Sequence, residues 1–195
     1  MNLRRMGAIM SAGILGGLFG CSSVRLVDPM DFNREADAAT DPQRAGMLQP
    51  GSEAERKAVE RFKDFFSVFN TENIRKKVRD TYPANLYFND TLRSIRTVQE
   101  LEAYMVRGAE ATDSCTVEYL DVVSHNGEYY FRWKMDIRFK KFKKGTVQSS
   151  IGISHIRFDK DGRVVFHQDY WDAASHFFEK IPLLGGGIRA VKRRL

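Results

Sequence analysis

Residues 128–142 read EYYFRWKMDIRFKKF, and they carry a clear β-strand pattern. Large apolar side chains alternate with charged ones, which predicts an antiparallel strand with one buried face and one solvated face. The buried face holds Phe131, Trp133, Met135, Ile137 and Phe139, and the solvated face holds Arg132, Lys134, Asp136, Arg138 and Lys140. On this pattern Lys134 and Asp136 form a solvent-facing ion pair.

Further strands are predicted on both sides of this stretch. Asn126-Gly127 between two β-type runs is a strong hairpin signal, so the preceding strand pairs with residues 128–142. A Lys-Lys-Gly turn and an Asp-Lys-Asp-Gly turn then separate two more strands. The predicted ranges of these additional strands are 116–124, 146–158 and 163–171.

Helices are predicted before the strands. Val59, Phe62, Phe66 and Phe69 recur at helical spacing after a Ser52 cap, which predicts an amphipathic helix of about 16 residues. Shorter elements follow: a helix over 71–78, a strand over 85–89 and a helix over 97–111. A chain whose helices mostly precede its strands has the element order of an α+β fold. We expect a curved antiparallel sheet packed on N-terminal helices, forming a cone in a single domain over residues 53–173.

The first residues have the pattern of a secretory signal. Arg4 and Arg5 precede the apolar stretch 6–19, which is too short to span a bilayer. The following Leu-Phe-Gly-Cys resembles a bacterial lipobox, which implies that residues 1–20 are removed and that Cys21 is acylated with palmitate-like chains. Resemblance to the Gram-negative sorting pattern implies a lipoprotein of the outer membrane, facing the periplasm. Residues 21–52 contain three prolines and no sustained periodicity, so we expect a flexible, mostly extended tether.

Composition excludes several classes of protein. The chain has 195 residues, 43% of them hydrophobic and 29% charged, which suits one folded domain with appendages. Two cysteines are too few for a disulfide framework, and the four histidines are too dispersed for a metal signature. Nucleotide-binding glycine motifs are absent from the sequence. We therefore expect no metal and no cofactor.

Four short motifs resemble the SnoaL-like branch of the nuclear-transport-factor-2-like superfamily. These are Tyr87-Phe88-Asn89-Asp90, Trp133-Lys134-Met135, the turn 158–164, and His167-Gln168-Asp169-Tyr170-Trp171-Asp172. The resemblance covers about residues 54–172. It implies a conical pocket that hosts acid–base chemistry in enzymatic members and only binding or scaffolding in others.

Three residues are candidates for catalysis. Asp90 follows Phe88 on one strand face, so its carboxylate would enter an apolar pocket and gain a raised pKa suited to a general base. Its alternative role is to cap the turn that follows. His167 and Asp169 share one face of the last strand, where the carboxylate would hold the imidazole in one tautomer. A surface ion pair is the alternative for these two.

Other residues are candidates for the pocket wall. The aromatic and apolar candidates are Phe88, Trp133, Met135 and Trp171. The tyrosines would donate hydrogen bonds to a developing oxyanion, and they are Tyr82, Tyr87 and Tyr170. His155, in the third long strand, is a candidate ligand contact or a core residue.

The C-terminal segment 174–195 is predicted to be a basic helical tail. Arg189, Lys192, Arg193 and Arg194 accompany Ile188, Val191 and Leu195, and a break is expected at Pro182 and Gly185-Gly186-Gly187. This composition favours contact with an anionic membrane surface over nucleic acid, which we do not expect as a partner. A solvated tail is the alternative.

Three functional hypotheses follow. The first is an envelope lipoprotein whose pocket binds a small apolar or lipid-like ligand. The second is an isomerase, lyase or hydrolase that uses Asp90 with His167 and Asp169. The third is a non-catalytic module that forms a homodimer through its sheet. A buried Asp90 with a raised pKa that faces an open cavity would favour the enzyme. An apolar cavity without convergent polar groups would favour the carrier. A cavity filled by side chains would favour the non-catalytic module.

Overall fold

A computed structural model describes residues 29–141, 145–181 and 183–195. The predicted signal segment and Cys21 lie outside the described residues. The helices are α1 Pro29–Ala39, α2 Pro42–Ala45, α3 Glu53–Ser67, α4 Thr71–Thr81, α5 Val98–Glu110, α6 Ala173–His176 and α7 Leu184–Lys192, with a 3-10 turn at Phe178–Lys180. The strands are β1 Asn85–Asn89, β2 Ser94–Thr97, β3 Thr112–His125, β4 Glu128–Phe139, β5 Val147–Phe158 and β6 Val164–Trp171.

The six strands form one sheet in the order β2-β1-β6-β5-β4-β3. Strands β3 to β6 are an antiparallel meander, as the alternation and turn signals predict. Helices α3, α4 and α5 pack on one face of this sheet, and their buried side chains join those of the strands in one core. The predicted single-domain α+β fold is confirmed.

One strand pairing differs from the prediction. Strand β1 runs parallel to β6, with Tyr87 opposite Phe166 and Asn89 opposite Gln168, so the sheet is mixed. The short strand β2, which the sequence analysis did not predict, pairs antiparallel with β1 and forms the sheet edge. Alternation in a strand predicts which face is buried but carries no information about the neighbouring strand.

The long helices begin at good capping residues. The Ser52 hydroxyl accepts a hydrogen bond from the Glu55 amide at 3.1 Å, and α3 then buries Ala58, Phe62 and Phe65. Helix α5 begins after Thr97, whose hydroxyl accepts from the Glu100 amide. These caps satisfy amides that have no partner within the helix, and they fix where each helix meets the sheet.

The segment expected to be an extended tether is instead partly helical and packed on the domain. Helix α1 buries Phe32 against Tyr87 on the sheet face opposite α3, with ring centroids 4.8 Å apart. Leu48 joins the main core. The prediction was wrong because, among the described side chains of α1, two apolar ones, Phe32 and Ala36, belong to this cluster, too few to show helical periodicity.

The expected break lies between Lys180 and Leu184, before the three consecutive glycines. They lie inside α7. A β-carbon at Gly185 would approach the Glu179 carbonyl oxygen to 2.1 Å, so this position needs glycine for close backbone packing. Packing of α7 on the 3-10 turn therefore outweighs the low helix propensity of glycine.

Candidate functional site

A cavity of about 280 Å³ lies between the helices and the concave face of the sheet. Apolar side chains dominate its wall, since the inward positions of β3 and β4 face the aromatic side of α3. They include Phe66, Met105, Val117, Trp133 and Met135. Side chains that carry acid–base or hydrogen-bonding groups also line the cavity, among them Asp90, Tyr104, Tyr119 and Asp169.

Asp90 stands at the end of β1 and fills both roles that the sequence suggests. Its Oδ1 accepts hydrogen bonds from the amides of Leu92 and Arg93, at 2.9 and 2.8 Å, and so caps the turn. Its Oδ2 accepts from the Tyr104 hydroxyl. Burial raises the pKa of Asp90, hydrogen bonds from Tyr104, Arg93 and Leu92 oppose the rise, and the nearby charge of Asp169 adds to it. The carboxylate is therefore a stronger base than a solvated aspartate.

His167 lines the cavity but is only 2% exposed. Its Nδ1 is 2.8 Å from the Tyr82 hydroxyl, and its Nε2 is 2.8 Å from Oδ1 of Asp169. Burial raises the pKa of Tyr82 well above its usual value, so this phenol stays protonated and donates a hydrogen bond to Nδ1. We infer a neutral imidazole that donates from Nε2 to Asp169. Both ring nitrogens are occupied, so the histidine orients the carboxylate and does not act as the base.

A second hydrogen-bond chain holds Asp169 from the neighbouring strands. The Trp133 indole N–H donates to Ser154 Oγ at 2.9 Å, and that hydroxyl donates to Oδ1 of Asp169 at 2.5 Å. Within the described part of the chain, Oδ2 of Asp169 accepts no hydrogen bond. This oxygen is therefore an acceptor available to a bound molecule.

Tyr119 places a phenol in the same cavity. Burial raises the pKa of Tyr119, and the charge of Asp169 adds to that effect, so the hydroxyl stays protonated. Its hydroxyl makes no hydrogen bond among the residues that the structure describes. A protonated phenol beside a carboxylate provides a donor and an acceptor for one polar group of a ligand.

Most of the predicted site residues meet at this cavity. Its lining includes Phe88, Asp90, Trp133, Met135, His167, Asp169 and Trp171. The Trp171 indole also donates to the Asp90 carbonyl at 2.8 Å, which ties β6 to the end of β1. Tyr82 lies one layer further back and acts through His167.

Three predicted pocket residues lie on the opposite face of the sheet. The Tyr87 hydroxyl donates to Gln168 at 2.6 Å beneath α1, His155 Nε2 is 2.5 Å from a Glu128 oxygen, and Tyr170 is exposed. Placing them in the pocket was wrong, because each precedes or follows an inward residue on its strand and side chains alternate between faces. The Lys134–Asp136 pair is on this outer face as predicted, 2.9 Å apart.

Sequence reasoning missed Tyr104, Tyr119 and Ser154. Tyr119 shares its strand face with Cys115 and Val117, so alternation along β3 could have shown that it points inward. Ser154 likewise lies two residues from Ile156 on β5. Tyr104 resembled an ordinary core residue of α5, and its contact with Asp90 depends on how that helix crosses β1.

Solved structures share this fold at low sequence identity. An epoxide hydrolase of Mycobacterium tuberculosis, described as LEH-like, is 16% identical, covers 75% of this chain and 100% of its own, and has a TM-score of 0.53. A protein with a ketosteroid isomerase-like fold from Catenulispora acidiphila, solved with trimethylamine, is 11% identical, covers 66% and 91%, and has a TM-score of 0.53.

A third similar structure is a nuclear-transport-factor-2-like protein of unknown function from Exiguobacterium sp. 255-15. It is 14% identical, covers 59% of this chain and 98% of its own, and has a TM-score of 0.51. Identities this low establish the fold and not the activity. A search of the curated proteins finds no match.

A family model identifies the chain independently of these structures. The model of the SnoaL-like domain matches residues 62–167, which is more than half of the sequence and spans the helices and strands around the cavity. The chain belongs to the SnoaL-like domain family.

Proposed function

We propose that the chain is an acid–base enzyme that acts on a small, mainly apolar molecule bearing a carbonyl or hydroxyl group. Isomerisation, elimination and hydrolysis are the reaction classes that such a site serves. The proposal rests on Asp90, a partly buried carboxylate whose pKa is raised, at the wall of an open apolar cavity.

The division of roles follows from the hydrogen bonds. Tyr119 donates to the ligand oxygen, and Oδ2 of Asp169 exchanges a proton with the ligand. The second carboxylate, Asp90, whose pKa is raised by burial, supplies the complementary acid or base. Two carboxyl groups in different surroundings are a common basis for assigning separate acid and base roles.

Proton exchange on small cyclic ketones and enones tests the proposal. The full chain is incubated with a panel of them in deuterated water, and deuterium incorporation next to the carbonyl is followed by NMR. Replacing a general base typically lowers rates by about 10²–10⁴-fold, so Asp169→Asn should lose that much of any exchange rate. The matched control is Asp136→Asn, a carboxylate on the outer face, which should keep it.

A carrier without chemistry is the second candidate, because the cavity wall is dominated by apolar side chains. Native mass spectrometry of the purified protein separates the two. A co-purifying apolar molecule that the protein leaves unchanged, with no exchange on any panel member, would favour the carrier and contradict the enzyme.

We also propose that the protein is a lipoprotein of the bacterial envelope, anchored through Cys21. The support is the sequence pattern that ends at this cysteine. Among the described residues, no helix is both long and apolar enough to cross a membrane. Cys21→Ala should abolish labelling by radioactive palmitate and release the chain from washed membranes, and unchanged labelling would contradict the anchor.

A further inference from the structure

Helix α7 carries an apolar stripe along one side. Leu184, Ile188 and Val191 are separated by four and three residues, which places them on one face of an α-helix, and Leu195 continues the spacing at the chain end. Leu184 is 47% exposed and Val191 60%, while Leu195 is fully exposed. Ile188 is half-buried, so the stripe faces mainly outward.

The neighbouring polar side of the helix, about 100° around from the stripe, packs on the protein. Gly185 lies against the Glu179 backbone, and the Arg189 guanidinium donates to the Glu179 carbonyl at 3.1 Å. Lys192 forms an ion pair with the Glu179 carboxylate at 2.5 Å and also contacts Ser175. A surface helix normally buries its apolar stripe against the protein. In this orientation the stripe of α7 is exposed instead, which indicates that another surface covers it.

The charges around the stripe indicate what covers it. Four of the last seven residues are cationic, namely Arg189, Lys192, Arg193 and Arg194, and no acidic residue follows Glu179. A second copy of the same tail would bring like charges together. An anionic phospholipid surface combines negative charge with apolar depth, which matches both features of the helix.

We propose that α7 docks on an anionic membrane surface, with Leu184, Ile188, Val191 and Leu195 at the boundary between headgroups and acyl chains. His176 and Phe177 line the cavity and immediately precede the 3-10 turn on which α7 packs. Docking would bring this side of the cavity to the bilayer. An apolar ligand would then enter from the membrane, a consequence that rests on the proposed function, whereas the docking itself does not.

Hydrogen exchange locates the contact in the full chain, whether or not Cys21 is acylated. Exchange is measured by mass spectrometry without vesicles, with phosphatidylcholine vesicles, and with vesicles that also contain phosphatidylglycerol. We expect amides of residues 184–195 to gain protection only on the anionic vesicles. The double variant Val191→Ser and Leu195→Ser should lose it, while Val68→Ser, which changes an equally exposed valine elsewhere, should keep it.

Charge removal gives a second readout. Each basic residue near an anionic surface contributes about 1 kcal/mol, so the double variant Arg193→Gln and Arg194→Gln should lower partitioning onto the anionic vesicles about thirtyfold. These residues are exposed, so the variants should fold normally, which the thermal midpoint checks. Equal exchange with and without vesicles, or equal protection on neutral vesicles, would overturn the proposal. Protection that instead rises with protein concentration alone would show that a second copy covers the stripe.

Discussion

Arg157→Ala is expected to lower the free energy of unfolding by about 3 kcal/mol. The Arg157 side chain is 7% exposed, and its guanidinium donates to Glu128, to Asp37 and to the Thr40 hydroxyl. It therefore fastens α1 to the outer face of the sheet.

The magnitude follows from what the substitution leaves behind. Removing one partner of a buried ion pair costs about 3–5 kcal/mol. The lower end applies because Asp37 is 57% exposed and becomes hydrated, while Glu128 keeps its contact with His155. The matched control is Arg163→Ala, whose partly exposed ion pairs with Asp159 and Asp161 should contribute at most about 1 kcal/mol.

Urea unfolding followed by tryptophan fluorescence measures both variants, and its pH dependence gives a second check. Burial alone would raise the pKa of Glu128, but hydrogen bonds from Arg157 and His155 outweigh it and hold the pKa below the usual 4.5. This stabilisation is complete above pH 4.5 and is lost as the pH falls through the lower folded-state pKa. The difference between wild type and Arg157→Ala should therefore shrink in acid. If Arg157→Ala lowers the free energy of unfolding no more than Arg163→Ala does, the buried ion pairs of Arg157 do not stabilise the fold as inferred.

Three further outcomes are expected. Tyr104→Phe should raise the pKa of Asp90 further in a carbon-13 NMR titration, because the lost hydrogen bond stabilises the ionised form; a lower pKa would contradict this. Gly152→Ala places a β-carbon 2.4 Å from the Trp133 ring, so it should lower the free energy of unfolding in urea by about 1–3 kcal/mol. Adding Trp133→Leu in the same chain should relieve this clash. An unchanged stability of Gly152→Ala would contradict the close packing. Burial raises the pKa of Cys115 to about 11, so peptide mass spectrometry should show much slower iodoacetamide alkylation of this thiol in the native than in the urea-unfolded chain, and equal rates would contradict its burial.

The elements of the fold could be predicted from the sequence because their signals are local. Alternation around Trp133, the Asn126-Gly127 turn and the Ser52 cap each depend on neighbouring residues, and the structure confirms all three. The parallel pairing of β1 with β6 could not be predicted, because it depends on contacts between residues far apart in the chain. The docking of α1 is likewise set by a distant residue, Arg157.

For the site, too, only the features with local sequence signals could be predicted. Asp90, His167 and Asp169 could be found from strand positions and from the family resemblance. The hydrogen bonds that assign their roles could not, because Tyr82, Tyr104 and Ser154 come from three different elements. Tyr87 and Tyr170 were misplaced where residue type was given more weight than strand alternation.

The proposed acid–base chemistry depends on a raised pKa of Asp90 in the apolar cavity. The most direct test is the carbon-13 NMR titration of the Asp90 side-chain carboxyl in the wild-type chain, with the resonance assigned by Asp90→Asn. We expect a titration midpoint above the ordinary value of 3.8. A midpoint at or below 3.8 would show a solvated or fully ion-paired carboxylate and would contradict the proposed acid–base site.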